Sequence, residues 1–309
     1  LVVKDKVEDL LKAGCKFRLF LADWHAWINN KMGGDLDLIQ KVGKHFVKVW
    51  ESLGLDTKKI DIVWSSELVD DSEFWKKVIL VSKNTTVNRM TRALTIMGRK
   101  EGDLAEAAQF IYPAMQVADI FHMDIDICQL GMDQRRANIL AREVAEKFRW
   151  KKPVAVHHHL LMGLQGPKKM VGFEESKELD LEISSKMSKS IPDSAVFVTD
   201  SEEEVKKKIN RAFCPEKQVE NNPLIEWSKY LIFRGEKKDF VIERPQKFGG
   251  ALEINSFEEL EREFRSGKLH PLDLKNFVAE QISERLRPAR EFFKKHPEDL
   301  RIFEGKISR

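Results

Sequence analysis

The segment Lys186-Met187-Ser188-Lys189-Ser190 sets two ammonium groups around two hydroxyls, directly ahead of Ile191-Pro192. Lysine carries a point charge on a long flexible stem, which suits a polyphosphate whose charge shifts during reaction. Read from these residues alone, it is a loop able to hold a polyphosphate. By composition alone it would also serve as a solvated surface loop. A second constellation runs from Tyr112 to Asp119 (YPAMQVAD). On a helix, residues three and four apart share a face, so Tyr112, Gln116 and Asp119 point together. They offer a phenol, an amide and a carboxylate to one small ligand, and a carboxylate accepts from either an amine or a hydroxyl. The bland reading is a polar stripe in solvent; apolar Ile111, Met115, Val117 and Ile120 weigh against it. A third is Gly131-Met132-Asp133-Gln134-Arg135-Arg136, where glycine allows a tight passage into a helix whose N-terminus can face a ligand. Gln134 could meet an amino acid or a ribose there, and an ordinary helix start with surface arginines fits the same residues.

These segments need elements to hold them. An amphipathic helix opens the chain and ends at Gly14; Lys16 to Ala22 then reads as a short strand. Gly33 and Gly34 precede a helix from about Leu36 to Leu53, closed by Gly54. Ile60 to Trp64 is a second strand, followed by a long helical region over Ser72 to Thr95 and a helix carrying Ala105 to Ile120. Ile125 to Gln129 and Pro153 to His158 supply two further strands, separated by a helix through Lys147. Helices alternating with short apolar strands predict an α/β fold with a parallel sheet. Ligands of such folds sit beyond the carboxyl ends of the strands. Ala22-Asp23-Trp24-His25 and the Gly131 segment both fall there, which makes His25 a candidate for the substrate pocket.

The stretch from Gly163 to Ser190 reads as an irregular connection. A mainly helical C-terminal part follows, with Ser201 as an N-cap ahead of acidic residues and then lysines. Its further helices are expected around Asn222–Phe233, Phe257–Ser266 and Leu272–Phe293. The domain expectation is 1–190 for catalysis and 191–309 for the helical part.

Bulk properties limit the alternatives. A length of 309 residues permits a substantial core, and 42% hydrophobic with 33% charged residues is ordinary for a globular protein. The three cysteines lie far apart in sequence, which fits a reducing cytoplasm better than a disulfide framework or a cysteine-rich zinc site. No apolar run is long enough to span a membrane, and a net charge of +3 with no basic tail gives no footprint for DNA. Any RNA contact must rely on local patches and shape. His157-His158-His159 invites a metal reading, but successive strand residues face opposite sides, so no metal site is expected. No Gly-x-Gly-x-x-Gly follows a strand, which argues against a dinucleotide oxidoreductase.

Lys-Met-Ser-Lys-Ser is similar to the second signature of class I aminoacyl-tRNA synthetases. With FLADWHAWIN (Phe20–Asn29), IYPAMQVADI (Ile111–Ile120), GMDQRRA (Gly131–Ala137), PVAVHHHLLMGL (Pro153–Leu164), RAFCP (Arg211–Pro215), ERPQKFGG (Glu243–Gly250) and KLHPLDLKN (Lys268–Asn276), essentially the whole chain resembles the tyrosyl-tRNA synthetases of archaeal and eukaryotic type.

The resemblance implies a Rossmann-like nucleotide-binding domain with a parallel sheet, then a helical anticodon-recognition domain. It implies formation of tyrosyl-adenylate from L-tyrosine and ATP, with Mg2+ accompanying the nucleotide, and transfer of tyrosine to the 3′ end of tRNA(Tyr). Tyr112 and Gln116, with Gln134 beside them, become ligands of the substrate amine. Asp119 receives the tyrosine hydroxyl, which makes sense because phenylalanine would leave a buried carboxylate unpaired; tyrosine-specific synthetases are themselves the standard example of this discrimination. Lys186 and Lys189 steady the pyrophosphate within the loop Lys186–Ser190. Arg135 and Arg136 approach the acceptor stem, while Phe248, His270 and Asp273 meet the anticodon by stacking and by accepting from a guanine edge. For Phe248 a core position and for Asp273 a helix cap are the structural alternatives. A homodimer is implied as well.

Members of this class also carry an earlier His-Ile-Gly-His-like signature for ATP. The resemblance places it, with a further ligand for the tyrosine hydroxyl, in a βα portion of roughly 60 residues ahead of Leu1; an incomplete or truncated sequence is the favoured reading of its absence, and natural loss in an inactive paralogue the alternative. Lys189 stands where tyrosyl enzymes of this type more often have serine. The rival readings are a tryptophanyl-tRNA synthetase, against which Asp119 and HPLDLKN weigh, and a noncatalytic RNA-binding synthetase paralogue.

Overall fold

The computed structural model describes residues 1–98, 106–170, 172, 176–188 and 191–303. The chain forms two compact units, one of residues 9–48 and 56–160, the other of residues 1–8, 49–55 and 161–309.

Helix α1 (Val2–Lys12), of which only residues 9–12 belong to the first unit, leads to strand β1 (Phe17–Leu21), and β1 runs straight into helix α2 (Asp23–Ile28). Helix α3 (Leu36–Ser52) precedes β2 (Ile60–Trp64). The two strands pair in parallel with Phe17 opposite Ile60 and Leu21 opposite Trp64. Short helices α4 (Ser65–Val69), α5 (Ser72–Lys83) and α6 (Val87–Ala93) follow, then α7 (Tyr112–His122). Strand β3 (Ile127–Gly131) passes through a 3-10 turn into α8 (Arg135–Phe148), and β4 (Val154–His158) pairs with β3 in parallel, Gly131 opposite His158. The sheet expectation holds as two parallel pairs, each joined by a helical crossover.

Helical spacing builds the core of this unit. Phe74, Val78 and Val81 of α5 lie four and three apart and pack with Ala114, Met115, Val117 and Ala118 of α7 and with Leu140, Ala141 and Val144 of α8. Pro113 in the first turn of α7 suits a position whose N–H has no helical partner. The expected helix over 72–95 is broken: Asn84 closes α5, its side chain donating to Leu80 O at 3.0 Å, and Thr86 caps α6 by accepting from Arg89 N. Asn and Thr compete locally for backbone groups, which interrupts a helix that the apolar pattern alone would continue. Ahead of α7 the chain makes a 3-10 turn over Ala107–Phe110 rather than a continuous helix, and Ala105 lies outside the described residues.

In the second unit a helix absent from the sequence expectation, α9 (Lys177–Ser185), occupies part of the connection. Leu179, Leu181 and Ile183 alternate with charged residues, which disguises a helix that Ser176 caps. Helix α10 (Glu202–Asn210) begins with a reciprocal box between Ser201 and Glu204. Helix α11 (Pro223–Trp227) continues into a π-helical turn over Ser228–Phe233. A small antiparallel pair, β5 (Phe240–Ile242) with β6 (Leu252–Ile254), follows and precedes the helices α12 (Phe257–Ser266) and α13 (Pro271–Lys295). Leu274, Phe277, Val278, Ile282 and Leu286 of α13 share a core with Val205 and Ile209 of α10. Among the described residues, no helix is long and apolar enough to cross a membrane.

Candidate active site

Three strands of the first unit, drawn from its two parallel pairs, deliver candidate side chains directly past their carboxyl ends. His25 sits in the helix after β1, Ser65 opens the helix after β2, and Gln134 ends the turn after β3. Asp23 fixes the first two to each other. Its Oδ1 accepts from Trp24 N and Ser66 N, each at 3.0 Å, and its Oδ2 accepts from Gln40 Nε2 at 2.8 Å. Gly131 serves the third, through close approach rather than unusual backbone angles: a Cβ there would stand 2.7 Å from Asp133 Oδ1 and 3.1 Å from Leu160.

Helix α7 brings its side chains to these ends. It is buried over most of its circumference, so Asp119, 3% exposed, is a carboxylate inside an apolar helix. Nε2 of His25, itself 3% exposed, stands 3.1 Å from Asp119 Oδ2. The two are at pairing distance yet off the line of a hydrogen bond, and neither oxygen of Asp119 accepts one within the described protein. Burial raises the Asp119 pKa above the usual carboxylate range, and His25 and His122 oppose that shift. The imidazole is bracketed by aromatic rings, edge-on to Tyr112 at 5.0 Å and to Phe20 at 6.0 Å between centroids. Burial, and then the nearby Asp119 and Asp133, push the Tyr112 phenol well above its ordinary value.

One turn along α7, Gln116 Nε2 donates to Gln134 Oε1 at 3.2 Å, and Gln134 Nε2 donates to Ile96 O at 2.9 Å. This leaves Gln116 Oε1 buried without a hydrogen bond among the described residues. An acceptor of this kind suits an ammonium group, and an unaccepting carboxylate suits a hydroxyl. The structure thus brings Tyr112, Asp119 and His25 into one cluster and links Gln116 to Gln134.

Other sequence candidates fall in more local roles. His157 Nε2 meets Asn138 Nδ2 at 3.0 Å while His158 Nδ1 meets Gln129 Nε2 at 2.6 Å, as opposite faces of a strand require. Among the described residues, no three His, Cys, Asp or Glu side chains gather as a metal site. Arg135 is exposed, whereas Arg136 donates to Arg92 O at 2.7 Å and to Thr95 Oγ1 at 3.2 Å, steadying the turn that also supplies Ile96 O. Ser65 carried no sequence signal beyond its place after a strand.

In the second unit, Lys186 forms a backbone bridge with Met162, and Met187 N donates to Leu161 O at 2.8 Å. Ser188 N donates to Ser194 Oγ at 3.3 Å. Gly163 lets this loop approach, since a Cβ there would meet Ser194 at 3.2 Å and Met187 at 3.6 Å. Lys189 and Ser190 lie outside the described residues. His270 caps α13, its Nδ1 accepting from Leu272 N at 3.1 Å, so the cap belongs to His270 rather than to Asp273. Asp273 is buried in the first turn, and the backbone at Phe248 ends a 3-10 turn, with its side chain outside the described positions.

Comparison with known proteins places these features in a family. A model described as tRNA synthetases class I (W and Y) matches residues 1–184 and 179–287. A tyrosine–tRNA ligase of Thermococcus kodakarensis is 51% identical over 98% of this chain and 85% of its own. The crystal structure of a tyrosyl-tRNA synthetase complexed with L-tyrosine, from Pyrococcus horikoshii, superposes with a TM-score of 0.87 at 48% identity, covering 97% of this chain and 85% of the other. That of a tyrosyl-tRNA synthetase from Aeropyrum pernix gives 0.84 at 42% identity, covering 100% and 85%.

Proposed function

The chain belongs to the class I tyrosyl-tRNA synthetases of archaeal and eukaryotic type, and from that premise we propose that α7 and the strand ends around it form the tyrosine pocket. The enzyme is a tyrosine–tRNA ligase. The observation that carries the pocket assignment is Asp119, a carboxylate buried in an apolar helix whose oxygens accept no hydrogen bond within the described protein. Leaving it so costs stability, and a phenol hydroxyl is the donor that would offset the cost. At the other end, the free acceptor of Gln116, the phenol of Tyr112 and Gln134 receive the substrate ammonium. The relative from Pyrococcus horikoshii is described as complexed with L-tyrosine, which supports the same ligand here.

No side-chain nucleophile is needed. The tyrosine carboxylate attacks the α-phosphorus of ATP, forming the acyl-phosphate bond as the bond to pyrophosphate breaks. The ribose hydroxyl at the 3′ end of tRNA(Tyr) then attacks the activated carbonyl and displaces AMP. The chain's own groups position reactants and meet developing charge. Lys186 and Lys189 steady the departing pyrophosphate, with Met187, Ser188 and Ser190 completing the loop. Magnesium accompanying the nucleotide would add to the charge neutralisation that Lys186 and Lys189 give its phosphates. Function divides at the sequence boundary, with 1–190 for activation and 191–309 for the anticodon through Phe248, His270 and Asp273. Arg135 and Arg136 reach the acceptor stem. A homodimer in the cytoplasm completes the reading.

ATP–pyrophosphate exchange with tyrosine and with tryptophan tests the pocket. Exchange driven by tyrosine and abolished in Asp119→Ala is expected; unimpaired tyrosine exchange in that variant would remove Asp119 from the site.

A further inference from the structure

We propose that His25 is the positioning residue for tyrosine selection: its Nε2–H holds one oxygen of Asp119, leaving the other to accept the substrate hydroxyl. The inference rests on Asp119 being the hydroxyl receptor. Its own basis is the geometry around the imidazole. His25 Nε2 lies 3.1 Å from Asp119 Oδ2, and both side chains are 3% exposed. On the far side of the ring, Nδ1 lies 3.4 Å from Oγ of Ser65, which is fully buried. A hydroxyl donating to Nδ1 leaves the proton on Nε2, the nitrogen that faces the carboxylate. Tyr112 and Phe20 hold the ring edge-on, so it has little freedom to turn away. The poor alignment of the pair is of the kind that tightens when a ligand arrives.

The groups around Asp119 leave this task to His25. Burial favours the protonated acid. A neutral acid discriminates weakly, because phenylalanine then leaves no charge unpaired. The Cys128 thiol on β3, which burial and then Asp119 push up to about 12, brings no charge. On its own helix, Tyr112 is held neutral, and His122 is engaged 3.5 Å from Asp71 and 3.5 Å from Lys77. Among the described residues, only His25, on α2, combines pairing distance with a proton that favours the carboxylate.

The test is the ratio of kcat/KM for tyrosine to that for phenylalanine, measured by ATP–pyrophosphate exchange on the full chain across about pH 6 to about pH 9. In His25→Phe the ratio falls about 10- to 100-fold, as expected for losing a hydrogen bond to a charged group. It also acquires a pH dependence, rising with pH as Asp119 ionises. His25→Gln, whose amide can reach the Nε2 position, keeps the ratio within about threefold of the parent. An unchanged ratio and a flat profile in His25→Phe would reduce His25 to packing and overturn the inference. Should that variant not fold, Gln and Asn are compared, and equal ratios for the two overturn it. If Asp119→Asn also preserves the ratio, the failure lies with the hydroxyl assignment instead.

Discussion

At the scale of single residues, the proposed tyrosine pocket gathers buried polar groups left without a hydrogen bond among the described residues. Asp119 and Gln116 Oε1 are buried acceptors without donors in the described protein, and both sit on the helix that sequence spacing had already singled out. Their function carries a cost in stability that pH exposes. Because burial raises the folded-state pKa of Asp119, the folded protein keeps a proton that the unfolded chain has released. Stability therefore falls as pH rises from the ordinary carboxylate range toward the raised value. Denaturant titrations at low and neutral pH should show Asp119→Asn losing less stability over this interval than the parent; an equal loss would mean that Asp119 is not the group responsible. Tyr112→Phe should raise KM for tyrosine about tenfold or more, by removing a hydrogen bond to the substrate ammonium. That Tyr112, Gln116 and Asp119 share one helix was legible because helical periodicity projects i, i+4 and i+7 onto one face. The pairing of His25 with Asp119 was not, since it joins residues far apart in sequence through tertiary packing alone.

At the scale of elements, strands and caps were readable and connections were not. Ile60–Trp64 and Phe257–Ser266 coincide with their expected bounds, and the Ser201 cap is present with its Glu204 partner. Ser201→Ala should cost about 1 kcal/mol of stability, the usual worth of such a cap, and leave tyrosine activation intact. Helix α9 escaped because its apolar residues alternate as in a strand, and the β5–β6 pair because three-residue strands carry almost no periodic signal. Gly131 illustrates a local constraint with a functional reach. Alanine there would push against Asp133 and Leu160, and the turn it disturbs carries Gln134. Gly131→Ala should destabilise by about 1–3 kcal/mol and weaken tyrosine binding together; loss of stability with unchanged binding would separate the turn from the site.

At the scale of the whole molecule, two compact units and one reaction have to be reconciled. The whole-chain resemblance to a tyrosine-specific family was legible because its motifs recur in order, whereas the partition of the chain into units was not, since residues 1–8 and 49–55 join 161–309 only through packing. If anticodon recognition is confined to 191–309, Asp273→Asn should lower aminoacylation of tRNA(Tyr) while leaving ATP–pyrophosphate exchange within about twofold of the parent, because one lost contact to a base edge does not touch activation. The most direct measurement for the central claim is a crystal structure of the chain with bound tyrosine. The phenol oxygen should lie about 2.5–3.0 Å from an Asp119 oxygen, with the ammonium against Tyr112, Gln116 and Gln134. Tyrosine bound with its hydroxyl away from Asp119, or its ammonium away from Gln116, would contradict the account.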